Sequence, residues 1–154
     1  MDLKVLLPRE HVLFGLPLEG SRRELLRTLA APLAADGIVS DLELFLDAVE
    51  RREAEMTTQM TGGTVFPHAC SPAVQRLALV VGMAPEPGYE FDADASENAR
   101  AFFLIAIPAA APAAHLPLLT HLAGFITARG KLEKLLGADS AATVHKMLLA
   151  WNGR

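Results

Sequence analysis

Two runs of apolar residues constrain the fold of this chain more than any other feature. Residues 77–83 (LALVVGM) and residues 101–107 (AFFLIAI) are almost uninterrupted apolar stretches, each bounded by Pro, Gly or charged residues. Runs of this length and composition are typical of strands that are covered on both faces. Both runs are therefore predicted to be central strands, and the rest of the chain must supply helices that cover them.

A first helix is predicted from Ser21, which has the residue type of a helix cap and is followed by Glu24 three residues later. Three leucines at helical spacing form its apolar face: Leu25, Leu29 and Leu33. The pattern continues to Gly37, and Pro32 is expected to disturb the last turns. A second capping box, Ser40 with Glu43, indicates another helix. Its apolar stripe contains Leu42, Phe45, Leu46 and Val49.

The C-terminal third of the chain is predicted to be helical at residues 113–128, 131–136 and 141–151, with Gly130 and Gly137 as breaks. Asp139 or Ser140 is expected to cap the last of these helices. Residues 3–7 and 12–16, separated by Pro8, are expected to be short strands or extended pieces, and residues 64–66 a short extended piece. Helices flanking a buried sheet predict a single α/β domain over residues 1–154.

Composition excludes several classes of function. The net charge of −4 provides no basic surface for nucleic acid. Cys70 is the only cysteine, so neither an internal disulfide nor a cysteine-built zinc site is possible, and a reducing cytoplasmic location is expected. The uncharged stretch at residues 101–119 is interrupted by three prolines and His115, which argues against membrane insertion. No metal or cofactor is expected.

His68 is the first candidate for chemistry. Imidazole titrates near pH 6.5 and is a competent nucleophile at cytoplasmic pH, so His68 could accept a phosphoryl group without a metal. It follows Pro67 in an irregular segment that also contains Thr57 and Thr58. Gly62 and Gly63 precede it, and their amides could approach an anion closely. These Thr and Gly residues are predicted to form a phosphate-binding loop.

His115 and Arg52 could complete such a site. His115 shares a helical face with Leu119 and Leu122, so its ring is expected to start from the side facing the core. Arg52 lies at the polar end of the second helix, where a solvated arginine beside Arg51 would also be favourable. The remaining histidines are expected to be structural: His11, His121 and His145.

Read in order, four motifs carry a resemblance: Arg52-Glu53, Thr57-Thr58, Gly63 and Pro67-His68. The segment AIPAAAPAAHLPLLTHLAGF, residues 106–125, adds a second histidine, His115. Together these motifs resemble the type-2 enzyme IIA domains of the bacterial phosphotransferase system, the fructose, mannitol and nitrogen-regulatory group. The resemblance extends over residues 20–150.

This resemblance implies a mixed sheet flanked by helices and a phosphohistidine at His68, with His115 as the second active-site histidine and Arg52 balancing charge. It implies a donor, the carrier HPr or its nitrogen-branch equivalent. It also implies an acceptor, a IIB domain, or a regulatory target such as a sensor kinase or transporter. The chain departs from the family motif at residues 59–63 (QMTGG) and at Cys70, where the family has other residue types.

Three alternatives remain open at this level. These departures would suit a regulatory binding module of the same fold with little or no phosphotransfer. A metal hydrolase using His68 and His115 would lack the acid-rich ligand motifs that usually accompany such histidines. A thiol nucleophile at Cys70 is the third, although Cys70 is expected to be a small packing residue that points away from His68.

Overall fold

The chain forms six helices and six strands within residues 1–153, the part that the computed structural model describes. The helices are α1 (Leu3–Leu6), α2 (Arg22–Ala35), α3 (Leu42–Glu55), α4 (Leu116–Thr127), α5 (Lys131–Leu136) and α6 (Ala141–Ala150). The strands are β1 (Val12–Phe14), β2 (Gln59–Met60), β3 (Thr64–Val65), β4 (His68–Ser71), β5 (Ala78–Met83) and β6 (Ala101–Pro108). A 3-10 turn, Arg9–His11, precedes β1. None of these helices combines the length and hydrophobicity that crossing a bilayer requires.

The two predicted apolar strands, β5 and β6, are the centre of one mixed sheet. They pair antiparallel, with Val81 opposite Phe103. The strand order is β1-β5-β6-β3-β2. Strand β3 pairs with the start of β6 at Ala101, and β4 pairs with the same edge of β6 further along, from Ile105. Strand β1 is parallel to β5, and both β3 and β4 are parallel to β6. This arrangement confirms the α/β fold class with a mixed sheet and helices on both faces.

Alternation along the central strands separates the core into two layers. Phe102, Leu104 and Ala106 face the layer that contains the leucines of α2 and the apolar stripe of α3. Phe103 and Ile105 face the other layer, which is covered by α1, α4, α5 and α6. Because successive strand residues point to opposite faces, a continuous apolar run buries both sides of the sheet.

The N-terminal segment differs from the prediction, because residues 3–6 are helical and not extended. Asp2 accepts the N–H of Lys4 through its side chain and caps the turn. Leu3 and Leu6, three residues apart, then lie on the same side and pack under the sheet. Pro8 comes immediately after Leu7, the C-cap, so the helix is only one turn long. Its alternation was too short to distinguish a strand from a helix.

Most predicted helices are confirmed, with changes at their ends. Asp41 rather than Ser40 caps α3, because its carboxylate accepts the N–H of Leu44 at 3.1 Å. Helix α4 begins at Leu116 rather than at residue 113, and Ser140 caps α6. Pro32 lies inside α2 without ending it, since one missing backbone hydrogen bond is tolerated in a helix whose apolar face is buried.

Candidate active site

A pocket of about 270 Å³ opens where the last turns of α3, strand β4 and the start of α4 meet. Its lining residues come from these three elements, the end of β6 and the turn before α4. They are Ala48, Arg51, Arg52, Glu55, His68, Ala69, Cys70, Ile107, Pro112 and His115. The structure therefore brings together Arg52, His68 and His115, the three residues proposed for catalysis from sequence. Arg52 and His115, the two farthest apart, are separated by 63 positions in the chain.

His68 opens strand β4, not a loop as predicted from the neighbouring Gly and Pro residues. Its Nδ1 lies 2.8 Å from the backbone carbonyl oxygen of Phe66. A carbonyl can only accept, so Nδ1 carries the proton and Nε2 keeps its lone pair. Nε2 makes no hydrogen bond to any of residues 1–153. The half-buried ring is therefore fixed as one tautomer, with an unoccupied nitrogen.

His115 occupies the N-cap position of α4 without a side-chain capping bond, and its ring stacks against that of His68 with centroids 5.7 Å apart and planes 27° apart. Burial lowers the pKa of His115, and the nearby His68 lowers the same pKa further by repelling a second positive charge. Nδ1 of His115 is buried and has no hydrogen-bond partner within residues 1–153. The lowered pKa favours the neutral form of this ring, and Nδ1 remains free to form a hydrogen bond.

Positive charge reaches the pocket from the C-terminal turn of α3. Arg52 is half-buried, and its Nη1 donates to the carbonyl of Met56 at 2.8 Å. Arg51 is exposed and also lines the pocket. Neither guanidinium forms an ion pair with any residue in the part of the chain described. Glu55 lines the same pocket, so the local balance is two cations against one anion.

Cys70 corrects an expectation from sequence. It was predicted to pack inside and to point away from His68, but it is exposed and lines the same pocket. The reason is the two-residue period of a strand: His68 and Cys70 are two positions apart on β4 and therefore share a face. Its Sγ lies 3.7 Å from the Pro108 carbonyl oxygen.

The threonine part of the predicted phosphate-binding loop does not reach the pocket. Thr58 is 6% exposed, and both its N–H and its hydroxyl donate to the carboxylate of Glu53 at 2.6 Å. Thr57 is exposed, and its hydroxyl accepts the N–H of Gln59 at 3.2 Å. Neither is among the residues that line the pocket. These hydroxyls organise the backbone after α3.

The glycine part of that loop is also elsewhere. Gly62 and Gly63 have φ of +86° and +75° and form the turn between β2 and β3. The N–H of Gly62 donates to the Glu97 side chain, and the Gly63 carbonyl accepts the N–H of Arg100 at 2.8 Å. A side chain at Gly63 would collide with the Asn98 carbonyl oxygen. The glycines are needed for a tight hairpin turn, and they lie outside the pocket.

Sequence reasoning missed Arg51, Glu55 and Cys70 as pocket residues. The signal was available as spacing: Ala48, Arg52 and Glu55 recur at helical intervals on α3, and Cys70 follows His68 by two positions on a strand. The other three histidines lie outside the pocket. Within residues 1–153, no three His, Cys, Asp or Glu side chains form a group suited to a metal ion.

Residues 6–151 match the family described as phosphoenolpyruvate-dependent sugar phosphotransferase system, EIIA 2. A fructose-specific EIIA component from Haloferax volcanii is 38% identical over 117 residues, which are 75% of each chain. The nitrogen regulatory protein IIA-Ntr from Neisseria meningitidis is similar in structure, with a TM-score of 0.79 and 23% identity over 94% of this chain and 97% of that one. Mannitol enzyme IIA from Escherichia coli, solved in complex with phosphorylated enzyme IIB, has a TM-score of 0.76 and 22% identity over 92% and 95%.

The last two likenesses agree in fold, and the first two findings extend over most of the sequence. They confirm the resemblance identified from the motifs around His68 and His115. This chain therefore belongs to the type-2 EIIA family of the phosphoenolpyruvate-dependent sugar phosphotransferase system, whose members are phosphotransferase proteins.

Proposed function

We propose that this chain is a phosphoryl carrier that is phosphorylated on Nε2 of His68. The donor would be HPr or its nitrogen-branch equivalent, in the cytoplasm. The acceptor would be a IIB protein, or the phosphorylated form would act as a regulatory signal to a target such as a sensor kinase or transporter. The observation that carries the proposal is the hydrogen bond from Nδ1 of His68 to the Phe66 carbonyl.

That bond supports the proposal because it decides which nitrogen is nucleophilic. With the proton on Nδ1, the Nε2 lone pair can attack phosphorus directly, and no general base is needed. As the Nε2–P bond forms, the P–N bond to the donor histidine breaks and its electron pair returns to the donor ring. The His68 ring then carries positive charge, which the Phe66 carbonyl stabilises through the retained Nδ1–H.

The surroundings of His68 suit the charge of the transferred group. Phosphoryl transfer passes through a loose transition state with charge spread over three oxygens, so positioning and positive charge are the main requirements. Arg52 and Arg51 can approach those oxygens from α3. His115 stacks on the other side, and its neutral ring can donate a hydrogen bond without repelling His68.

A partner of IIB type is supported by the similarity in fold to mannitol enzyme IIA, which was solved in complex with phosphorylated enzyme IIB. In the forward direction an acceptor nucleophile would attack the phosphorus on His68, and the Nε2–P bond would break with its electron pair returning to the ring. The same groups that stabilise charge on acceptance therefore act on transfer. Arg52 and His115 are proposed for both steps.

The test is intact-mass spectrometry after incubation with phosphoenolpyruvate, enzyme I and HPr, at neutral to alkaline pH, repeated with a nitrogen-branch donor. Wild type is expected to gain one acid-labile phosphoryl group, and His68→Ala none. His121→Ala, which removes a histidine from α4 outside the pocket, is the matched control and should be phosphorylated normally. Phosphate on His68→Ala, or none on wild type with either donor, would contradict the proposal. The second result would favour a regulatory binding module.

A further inference from the structure

A series of hydrogen bonds connects a buried carboxylate on α3 with the ring of His68. Both carboxylate oxygens of Glu53 accept from Thr58, one from its N–H and one from its hydroxyl. The Thr58 carbonyl accepts the N–H of Phe66 at 3.2 Å. The Phe66 carbonyl in turn accepts Nδ1–H of His68 at 2.8 Å. The last turn of α3 is thereby linked to the orientation of the imidazole.

The first link is well buried. Glu53 is 5% exposed and Thr58 is 6% exposed, and each bond between them is 2.6 Å long. A buried carboxylate is stable only when hydrogen bonds replace its hydration, and charge-assisted bonds are the strong kind. The pair therefore holds the chain that leaves α3 at Met56 in one conformation.

The second link positions the carbonyl that His68 uses. Phe66 is held by Thr58 on one side, while the next residue, Pro67, accepts the N–H of Ile105 on β6 at 3.0 Å. The Phe66 ring stacks on Phe103 with centroids 5.0 Å apart. The Phe66 carbonyl is thus fixed from both sides, and only the side nearer to α3 depends on Glu53.

We propose that Glu53 and Thr58 are positioning residues for His68. By holding Phe66, they keep the His68 ring as the Nδ1–H tautomer with the Nε2 lone pair available. This inference rests on the proposed function, because it explains how the proposed nucleophile is kept ready. It also assigns Thr58 a different role from phosphate binding, since its hydroxyl is already donated to Glu53 inside the protein.

The tautomer can be measured directly on unphosphorylated protein. Long-range ¹H–¹⁵N correlation spectra at about pH 8, where imidazoles are neutral, distinguish Nδ1–H from Nε2–H. Wild type is expected to show Nδ1–H at His68. Glu53→Gln and Thr58→Val should shift the tautomer ratio towards Nε2–H by about tenfold, the equilibrium equivalent of one net hydrogen bond. Thr58→Ser, which keeps both donors, should restore the wild-type ratio.

Asp41→Ala is the matched control for a loss of stability alone. Asp41 caps the other end of the same helix and is exposed, so its removal should weaken α3 without touching the link to Phe66. Thermal unfolding measures the loss of stability in each variant. The His68 tautomer ratio of Asp41→Ala is then compared with those of the Glu53 and Thr58 variants that lose a similar amount of stability. Thr58→Val is the decisive variant where the buried amide of Glu53→Gln prevents folding.

Two outcomes would overturn the proposal. One is an unchanged His68 tautomer in folded Thr58→Val, and the other is an equal shift in Asp41→Ala. Because the spectra are recorded without a phosphoryl donor, these outcomes are independent of whether wild type is phosphorylated in the mass experiment. Failure of the proposed positioning role of Glu53 and Thr58 can therefore be distinguished from failure of the proposed carrier function.

Discussion

His11 and His68 are the same residue type at opposite sides of one sheet, and their surroundings differ in one decisive respect. His11, before β1, is fully buried, with Nδ1 3.1 Å from the Leu79 carbonyl oxygen and Nε2 2.7 Å from the Asp36 carboxylate. His68, at the start of β4, has one nitrogen occupied and one free, beside a pocket. The comparison teaches that an imidazole becomes available for chemistry when the fold satisfies one nitrogen and leaves the other open.

The largest expected effect concerns His115, which lines the same pocket as His68. His115→Ala should still become phosphorylated on His68, but more slowly, and should transfer the group to an acceptor roughly 10²- to 10³-fold more slowly, the usual loss when one preorganised hydrogen-bond donor to a charged transition state is removed. Rapid-quench transfer assays with a IIB acceptor measure this. A transfer rate equal to that of His121→Ala would show that the stacked ring is only a packing residue.

The next effect is a loss of stability on replacement of His11, the histidine whose two ring nitrogens are both occupied. His11→Ala should lower the free energy of unfolding by about 1–3 kcal/mol, because Leu79 and Asp36 lose a partner and a cavity forms. Phosphorylation of the folded variant should be unchanged. Chemical denaturation together with the mass assay tests both parts. Loss of phosphoryl acceptance in folded His11→Ala would break the comparison between a structural and a reactive histidine.

The two arginines of the pocket should differ by a smaller amount. Arg52→Ala is expected to slow phosphoryl acceptance about tenfold, because its half-buried guanidinium is held near the pocket by Met56. Arg51→Ala should slow phosphoryl acceptance only a few-fold. Added salt should abolish this smaller effect of Arg51→Ala, because exposed charges are screened. Single-turnover rates at low and high salt measure both. Equal rates for the two variants would show that the hydrogen bond from Arg52 to the Met56 carbonyl has no effect on phosphoryl acceptance.

The smallest effect is a shift in titration. Since burial and His68 lower the pKa of His115 below its ordinary value near 6.5, NMR titration should find its midpoint below that value. In His68→Ala the pKa should rise, because the repulsion disappears. The folded form binds the proton less readily, so wild type should lose stability as pH falls from about 6.5 towards the folded pKa, and His115→Asn should lose less. A pKa unchanged by His68→Ala would contradict the stacked arrangement.

Much of the fold was predictable because the relevant signals are local. The runs at β5 and β6 and the capped, leucine-striped helix α2 were identified correctly. Strands β2 and β4 were missed, since strands of two and four residues show too little alternation to register. The helix at Leu3–Leu6 was misread for the same reason. Short elements depend on what they pack against.

The site was only partly predictable. His68, His115 and Arg52 were identified from motif resemblance, and the structure brings them to one pocket. Thr58 and Gly63 belong to the same motif but lie elsewhere, because a motif preserved in sequence includes residues that shape the backbone as well as residues that face a ligand. Sequence order does not separate these two kinds of residue.

The sequence by itself determined the fold class and the residue types available for chemistry, because periodicity and composition act locally along the chain. Only the tertiary structure decided which nitrogen of His68 is open, that Cys70 faces the pocket, and that His11 is closed off by Asp36. Each outcome depends on how elements pack against one another. Thr58 holds Phe66, whose carbonyl fixes the His68 tautomer, and Asp36 lies 25 residues from His11. Cys70 faces the pocket because residues 68–71 form a strand, which pairing with β6 decides. Hydrogen-bond partners and burial are set when the elements pack, and no local pattern contains them.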